Sequence, residues 1–174
     1  GAVYIIRDPR NVLTSIKNHF SLDDDKALKM ITDKERWLMS NNGSYASCTY
    51  ISSWSNNYLS WFRNNQFRRL FVKYEDLIAN KYETFRDIIV FTNTIMNNSE
   101  GVNKVKLEKA IETTNFSVLK NKEKNEGFDE ALYSEEKKKM KVFFNLGFNN
   151  RWKKLLRNDI RIKIENVFKN EMED

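Results

Sequence analysis

A short apolar run that ends in an arginine and an Asp-Pro pair is the feature that most constrains how this chain folds. Residues 3–6 form a continuous apolar run rich in β-branched side chains, which is typical of a buried strand in a parallel sheet. Asp8 is a favourable N-cap and Pro9 suits the first helical position, so a helix is predicted from Pro9 to about Phe20. The apolar face of this helix is predicted to comprise Val12, Leu13, Ile16 and Phe20.

A second apolar run, Leu70–Tyr74, predicts another strand, and strands separated by helices are expected to pair in parallel. The aromatic residues between positions 50 and 62 recur at helical spacing and are expected to pack in the core. Residues 115–132 are predicted to form a long, polar and partly mobile segment. Apolar periodicity predicts further helices over Asp23–Leu38, Ser47–Arg63, Tyr82–Met96, Lys104–Thr113, Ser134–Phe144 and Asn158–Lys169.

The composition indicates a globular chain that we expect to form one domain over residues 1–174. Of its 174 residues, 40% are hydrophobic and 13% are aromatic. Cys48 is the only cysteine, which excludes an intrachain disulfide and a zinc site built on several thiolates. We therefore expect a reducing, cytoplasmic location and no bound metal. No apolar run approaches the roughly 18 residues of a membrane span.

Arg7 stands where the first predicted strand gives way to the first predicted helix. In open parallel sheets, ligands bind outside the carboxyl ends of the strands. A helix N-terminus at that edge offers free N–H groups to an anion, and a guanidinium adds a planar fork of donors suited to phosphate. The position therefore predicts a phosphate site, with Ser15 two turns into the helix as a further donor. The alternative is that Arg7 only pairs with Asp8 or caps a neighbouring element.

Residues 4–15 read Tyr-Ile-Ile-Arg-Asp-Pro-Arg-Asn-Val-Leu-Thr-Ser. This segment resembles the 3′-phosphate-binding motif of the sulfotransferases that use PAPS (3′-phosphoadenosine 5′-phosphosulfate). That motif is an apolar strand, Arg-Asn/Asp-Pro, a basic and a polar residue, Val, and a Ser eight residues after the Arg. The resemblance implies that Arg7 and Ser15 hold the 3′-phosphate of the donor.

Three later segments resemble the same family in the same order. Residues 53–62 resemble its Ser-Trp…Trp-Trp helix, and Tyr74-Glu75-Asp76-Leu77 resembles its Tyr-Glu-Asp-Leu element, whose Tyr contacts the adenine side of the donor. Residues 113–116 are similar to its Thr-Ser-Phe segment, in which a Thr and a Phe embrace the adenine. The residues that the resemblance implies at the adenine side are Tyr74, Thr114 and Phe116.

A loop near the end of the chain resembles the family and also departs from it. Residues 145–153 are similar to the Arg-Lys-Gly-x-x-Gly-Asp-Trp-Lys loop that helps to clamp the 3′-phosphate, and the first glycine and the Trp-Lys pair keep their spacing. The Arg-Lys pair is replaced by Asn-Leu, so backbone N–H groups remain but the fixed charge is lost; Arg151 or Lys153 could supply a substitute. The loop residues carried over as nucleotide-binding are Asn145, Leu146 and Gly147.

The resemblance implies a helix-rich α/β chain with the P-loop-NTPase-like sulfotransferase fold, N-terminally incomplete, with a small parallel sheet flanked by helices. It implies that the full-length protein transfers a sulfuryl group from PAPS to a hydroxyl or amine of a small-molecule or glycan acceptor. PAPS and its product PAP (adenosine 3′,5′-bisphosphate) are therefore the expected co-substrate and product.

The family's Pro-Lys-x-Gly-Thr-Thr loop, which cradles the 5′-phosphosulfate, is not found in residues 1–174. Its lysine and the family's general base are expected before residue 1, so the catalytic residues stay unknown and this chain alone is expected to be inactive. His19 lies one turn past Ser15 and is expected to be structural or at the surface. An open sheet edge beside residues 3–6 favours self-association into a homo-oligomer.

Two other functions remain open from the residues alone. The net charge of +6 and the run Lys137-Lys138-Lys139 would suit a basic helical module that binds nucleic acid, although Glu135-Glu136 dilute that patch. The charge can equally reflect a general excess of lysine, and nucleic acid is not an expected partner. Another phosphate-handling α/β enzyme, such as a nucleotide kinase, would also need the Gly-rich loop. The motifs in family order favour the sulfotransferase resemblance over both.

Overall fold

A computed structural model describes residues 1–38, 48–129, 131, 133–134 and 138–173. Its helices and strands, in chain order, are β1 Ala2–Ile6, α1 Pro9–Phe20, α2 Asp24–Thr32, β2 Trp37–Leu38, β3 Thr49–Tyr50, α3 Trp54–Phe62, β4 Arg69–Lys73, α4 Tyr74–Ala79, α5 Lys81–Ile95, α6 Lys104–Thr113, α7 Phe116–Glu126, β5 Tyr133–Ser134, β6 Lys139–Met140, α8 Trp152–Leu155, α9 Asn158–Val167 and α10 Lys169–Met172.

The chain forms two compact units, and each is built from two separate stretches of sequence. The first unit comprises Gly1–Arg7 and Gln66–Asn150, and the second comprises Asp8–Asn65 and Arg151–Asp174. The first therefore contains the parallel strands and helices α4 to α7. The second contains α1 to α3 and the three C-terminal helices.

The first unit is organised around the predicted parallel pair. Strand β1 pairs with β4 in parallel, from Ala2 opposite Arg69 to Ile6 opposite Lys73. Val72 on β4 is 5% exposed, and α5 packs against this strand. The prediction that β1 is buried is wrong for one of its faces, because a two-stranded sheet leaves the alternate side chains uncovered: Val3 and Ile5 are 37% and 53% exposed.

The second unit has an all-helical core. Asp8 caps α1 as predicted, its side chain accepting a hydrogen bond of 2.8 Å from the backbone N–H of Arg10. The apolar face of α1 centres on Leu13, which is fully buried, while Val12 and Ile16 pack at its margin. The buried cluster of this unit comprises Leu13, Ala27, Ile31, Ile160, Ile164 and Phe168.

Two predicted helices are shorter than expected because a small antiparallel ladder takes up their ends. The prediction of a helix to Leu38 is wrong, since α2 ends at Thr32 and Trp37 pairs with Tyr50 of β3. The prediction of a helix from Ser47 is wrong over its described start, because α3 begins only after its N-cap Ser53. Trp, Thr and Tyr favour strands, and this preference prevails where the helix faces would not be buried.

The aromatic stripe predicted for the core is therefore divided. Trp54 and Tyr58 follow the prediction: Tyr58 is buried, and Trp54 packs against the core with its ring 5.1 Å from that of Phe168. Tyr50 and Phe62 do not, because both are about half exposed.

The segment after α6 is a helix, and not the long mobile segment that the polar sequence suggested. Helix α7 begins after Asn115, whose side chain accepts a hydrogen bond from the N–H of Ser117, and ends at Gly127 with φ of +82°. Its lysines and glutamates are good helix formers, so a helix forms here although little of its surface is apolar. Polarity was therefore misleading as an indicator of mobility.

The helix predicted over Ser134–Phe144 is also wrong in its described part. Strands β5 and β6 pair in antiparallel fashion, with Tyr133 opposite Met140. Lys138 beside the turn has a left-handed φ of +50°. The alternation of lysine with apolar residues over 139–142 has the period of a strand, and this period prevails over helical propensity. Residues 135–137, including the first lysine of the basic run, lie outside the described residues.

Within the described ranges, no helix combines the length and the apolar character needed to cross a bilayer.

Burial in the second unit predicts unequal effects for two isoleucines of the same helix. Ile164 is fully buried, whereas Ile162 is 45% exposed. Ile164→Ala is expected to lower the free energy of unfolding by about 2–5 kcal/mol, because it leaves a cavity in the core. The matched Ile162→Ala should change it by under about 0.5 kcal/mol. Urea unfolding followed by circular dichroism measures both, and equal losses would contradict this core.

The start of α9 predicts a pH dependence. The hydrogen bond from the Arg157 guanidinium to Asp159, 2.7 Å from Nη2 to Oδ2, lowers the pKa of Asp159 from 3.8 to about 2. Because the pKa is lower in the folded state, the contribution of this carboxylate to stability is complete above the unfolded value and is lost as the pH falls through about 2. NMR titration should give a midpoint near 2 for Asp159, rising toward 3.8 in Arg157→Gln. A midpoint that the substitution leaves unchanged would refute the pairing.

Candidate functional site

The first unit holds Arg7 and Tyr74 side by side beyond the carboxyl ends of its two parallel strands. Each residue directly follows its strand, and the register places the last residues of the strands, Ile6 and Lys73, opposite each other. The guanidinium carbon of Arg7 lies 4.2 Å from the centre of the Tyr74 ring. A guanidinium stacked in this way is held by its flat face, so its N–H donors in the ring plane can point elsewhere.

Arg7 has a hydrogen-bonding group that the described part of the protein does not satisfy. Its Nε atom is buried and has no hydrogen-bond partner among the described residues. A buried polar atom without a partner carries a desolvation cost of about 1–3 kcal/mol, so such an atom calls for an explanation. A bound anion at the end of the sheet would supply the missing acceptor.

The second unit contains Ser15, which lies half-buried on α1. Arg10 holds the beginning of this helix by two ion pairs. Its guanidinium lies 2.8 Å from the carboxylate of Asp8 and 2.7 Å from that of Glu165. Burial lowers the pKa of Arg10, but the hydrogen bonds and charges of these two carboxylates outweigh it and raise the pKa above its usual value. Asp8 is thus engaged by Arg10, the basic residue of the Arg-Asp-Pro-Arg segment.

Arg10 also joins the start of α1 to the Trp-Lys pair of the late loop. Its guanidinium carbon lies 4.1 Å from the centre of the Trp152 ring. The side chain of the next residue, Asn11, accepts a hydrogen bond of 3.2 Å from the backbone N–H of Trp152. Two segments that are 141 residues apart in sequence therefore contact each other directly within the second unit.

Phe116 and Gly147 are in close contact within the first unit. Gly147 has a left-handed φ of +52°, and a Cβ atom built on it would lie 2.6 Å from the ring of Phe116. Only glycine fits there, both for its backbone conformation and for its contact with the ring. Phe144 and Phe148 meet the same ring edge-on, each with its centroid 6.3 Å away. The loop and the first turn of α7 thus form one aromatic surface.

Helix α7 holds the loop by two side chains that sequence reasoning missed. The Glu123 carboxylate accepts hydrogen bonds from the backbone N–H groups of Phe143 and Phe144, at 2.5 and 2.9 Å. The ammonium group of Lys120 donates to the carbonyl oxygen of Asn145 at 3.2 Å. These side chains were overlooked because α7 had been taken for a mobile segment; Asn115 as an N-cap and Gly127 as a stop were the available signals.

The remaining candidate residues are placed as follows. Thr114 is exposed at the end of α6, and its hydroxyl donates to the carbonyl of Ala110 at 2.6 Å. Asn145 and Leu146 are half-buried in the loop that leads into Gly147. Seven of the eight candidate nucleotide-binding residues lie in the first unit, and Ser15 lies in the second. The seven are Arg7, Tyr74, Thr114, Phe116, Asn145, Leu146 and Gly147.

A cavity of about 470 Å³ lies between α7 and the end of β6 in the same unit. Its walls include the apolar Phe128, Met140 and Val142, and its lysines are Lys120, Lys124 and Lys141. No cluster of three histidine, cysteine, aspartate or glutamate side chains suited to a metal occurs among the described residues. The charged side chains that line the described part of this cavity are these three lysines and Glu123.

Comparison with known proteins identifies a family and two solved structures of similar fold. The sequence model described as "Sulfotransferase domain" matches residues 2–174. The mouse sulfotransferase SULT7A1, crystallised with PAP, superposes with a TM-score of 0.65 at 16% identity, over 98% of this chain and 57% of that one. A retinol dehydratase crystallised with androsterone and inactive cofactor PAP gives a TM-score of 0.59 at 18% identity, over 99% of this chain and 47% of the other.

The chain thus spans about half the length of these two solved proteins. No curated protein sequence is similar enough to it to count as a match. The likeness in structure establishes a helix-rich α/β fold with a small parallel sheet, as the sequence predicted. Because the family match covers nearly every residue, the chain belongs to the sulfotransferase domain family.

Proposed function

We propose that this chain binds the 3′-phosphoadenosine end of PAPS and of its product PAP, and that the whole protein is a PAPS-dependent sulfotransferase. The observation that carries the proposal is Arg7: a guanidinium stacked on Tyr74, with a buried Nε that lacks an acceptor, at the carboxyl end of a parallel strand. Both solved proteins of similar fold were crystallised with PAP, which supports the choice of ligand.

Each side of the nucleotide has candidate partners in this proposal. The sequence resemblance assigns Arg7 and Ser15 to the 3′-phosphate, and within the first unit the backbone N–H groups of residues 145–147 are the further donors that we propose. Tyr74, Thr114 and Phe116 contact the adenine. Stacking of a base on an aromatic ring is worth about 1–3 kcal/mol, and Phe116 is held for this purpose by its contact with Gly147.

The reaction proposed for the whole protein is a sulfuryl transfer. A hydroxyl or amine of the acceptor attacks the sulfur, the bond from sulfur to the bridging phosphate oxygen breaks, and PAP leaves while the acceptor proton passes to a base. We assign neither that base nor the phosphosulfate-binding lysine to a residue of this chain. The acceptor is a small molecule or a glycan, and residues 22–48 and 119–134 are where we expect its recognition to lie.

The other properties stay proposals that rest on the sequence. Cys48 as the only cysteine favours a reducing, cytoplasmic location. The exposed side chains of Val3 and Ile5 favour self-association at β1, hence a homo-oligomer. The family match favours a sulfotransferase over a nucleic-acid module or a nucleotide kinase.

Arg7 provides the first test of this function. Arg7→Ala is expected to weaken PAP binding about 10- to 100-fold, because a hydrogen bond to a charged group contributes about 1.5–3 kcal/mol. Binding of AMP, which has no 3′-phosphate, should change less than threefold. Isothermal titration calorimetry with both nucleotides measures the difference.

The same sheet offers a matched control. Arg69 stacks on Phe71 with its guanidinium carbon 5.8 Å from the ring centre, but it stands at the amino end of β4. Arg69→Ala should leave PAP affinity within threefold of the wild type. Equal binding of PAP and AMP by the unaltered protein would refute a 3′-phosphate site.

Gly147 provides a second test, directed at the adenine side. Gly147→Ala forces a Cβ against the Phe116 ring at a left-handed φ, so we expect Phe116 to move and the affinity for AMP to fall by about tenfold; the affinity for PAP should fall at least as much, because residues 145–147 also carry proposed donors to the 3′-phosphate. Gly101→Ala is the control, because nothing lies within 4 Å of its added Cβ. If Gly147→Ala binds both nucleotides normally, Phe116 does not hold the adenine.

A further inference from the structure

The loop at residues 145–147 lacks a cation of its own. Asparagine and leucine occupy the two positions before Gly147, so the side chains there carry no charge. Backbone N–H groups compensate the two negative charges of a phosphate less well than a lysine or an arginine does, and Arg7 is the one cation of the first unit proposed for it so far. A positive group that reaches this loop from another element of the first unit would supply the missing charge.

Lys120 is such a group. It lies four residues after Phe116 on α7, which places both side chains on the same face of the helix. Its Nζ atom donates to the carbonyl oxygen of Asn145 at 3.2 Å and lies 5.9 Å from the centre of the Phe116 ring. The ammonium group thus stands beside the loop and beside the aromatic ring proposed to stack on adenine.

Among the described residues, Lys120 has no carboxylate partner. Its contact in the loop is a neutral carbonyl. Glu123, one turn further along the same helix, already accepts hydrogen bonds from Phe143 and Phe144. An ammonium has three donors, so those not used by Asn145 can serve an anion.

We propose that Lys120 provides the positive charge that the loop itself lacks, and that it binds a phosphate group of the nucleotide beside Phe116 and Gly147. This inference rests on the proposed function, because it takes the ligand to be a 3′-phosphorylated adenosine. The carbonyl of Asn145 orients the ammonium group, and α7 carries the cation in place of the loop. The ligand chemistry is that of a phosphate monoester, and PAP is its probe.

The test compares Lys120→Met with the unaltered protein. Methionine keeps the length of the side chain and removes only the charge and the donors. We expect PAP to bind about tenfold more weakly, while AMP, lacking the 3′-phosphate, changes less than twofold. Lys120→Arg should keep PAP affinity within threefold, because it restores a cation at the same place. Calorimetry measures affinity, and a thermal melt of each variant verifies folding.

Lys124→Met is the matched control, because Lys124 lies one turn along the same helix and lines the cavity, but no hydrogen bond among the described residues joins its side chain to residues 145–147. It should bind PAP within twofold of the unaltered protein. If the unaltered protein does not prefer PAP to AMP, the proposed function itself fails. If it does prefer PAP, three results would overturn the inference about Lys120. The first is that Lys120→Met keeps the preference for PAP over AMP. The others are that Lys124→Met or Lys120→Arg loses as much PAP affinity as Lys120→Met does.

Discussion

The parallel pairing of β1 with β4 is the interaction on which the candidate site depends. Strands that run in the same direction end at the same edge, so the residues that follow them become neighbours although 67 positions separate Ile6 from Lys73 in the paired register. Arg7 and Tyr74 are those residues, and their stacking follows from the register. A shift of the register by one residue would turn each side chain to the other face and would separate the pair. The sheet is small, but its register determines where Arg7 lies.

Sequence reasoning was most successful where local signals and long-range packing agree. Asp8 and Pro9 are signals for a helix start, and Leu13 gives the same helix a buried face, so its bounds follow the prediction. It failed where a segment is stabilised by few side-chain contacts. Helix α7 was missed because its polar sequence hides a helix held by caps and by the backbone of a neighbouring loop. The short strands at Trp37 and Tyr133 were missed because two-residue ladders have too few positions to show a period.

The candidate residues illustrate the same division. The motif spacing was enough to single out Arg7, Phe116 and Gly147, and the structure adds the contacts that explain why those residue types occur together. No spacing rule could have indicated Glu123 or Lys120, because their partners are backbone atoms of a distant loop. The partner of Lys120, for example, lies about twenty-five residues away in sequence. Almost any residue type can provide a backbone hydrogen-bond partner, so the residue types in the loop do not indicate that such a contact exists. Side chains that act on a distant backbone are therefore the part of a site that a single sequence predicts least well.

A cation carried by a helix differs physically from a cation carried by the loop itself. An arginine in the loop offers a planar fork that can bind two phosphate oxygens at once, whereas Lys120 offers a compact ammonium group on a flexible stem. Such a group compensates charge with little demand on direction, so the geometry of recognition falls to the fixed donors, which are the backbone N–H groups near Gly147 and the guanidinium of Arg7. Both of these are restrained, the first by the contact of Gly147 with Phe116 and the second by the Tyr74 ring. On this account the rigid groups determine which phosphate is recognised, and the lysine mainly adds to the strength of binding.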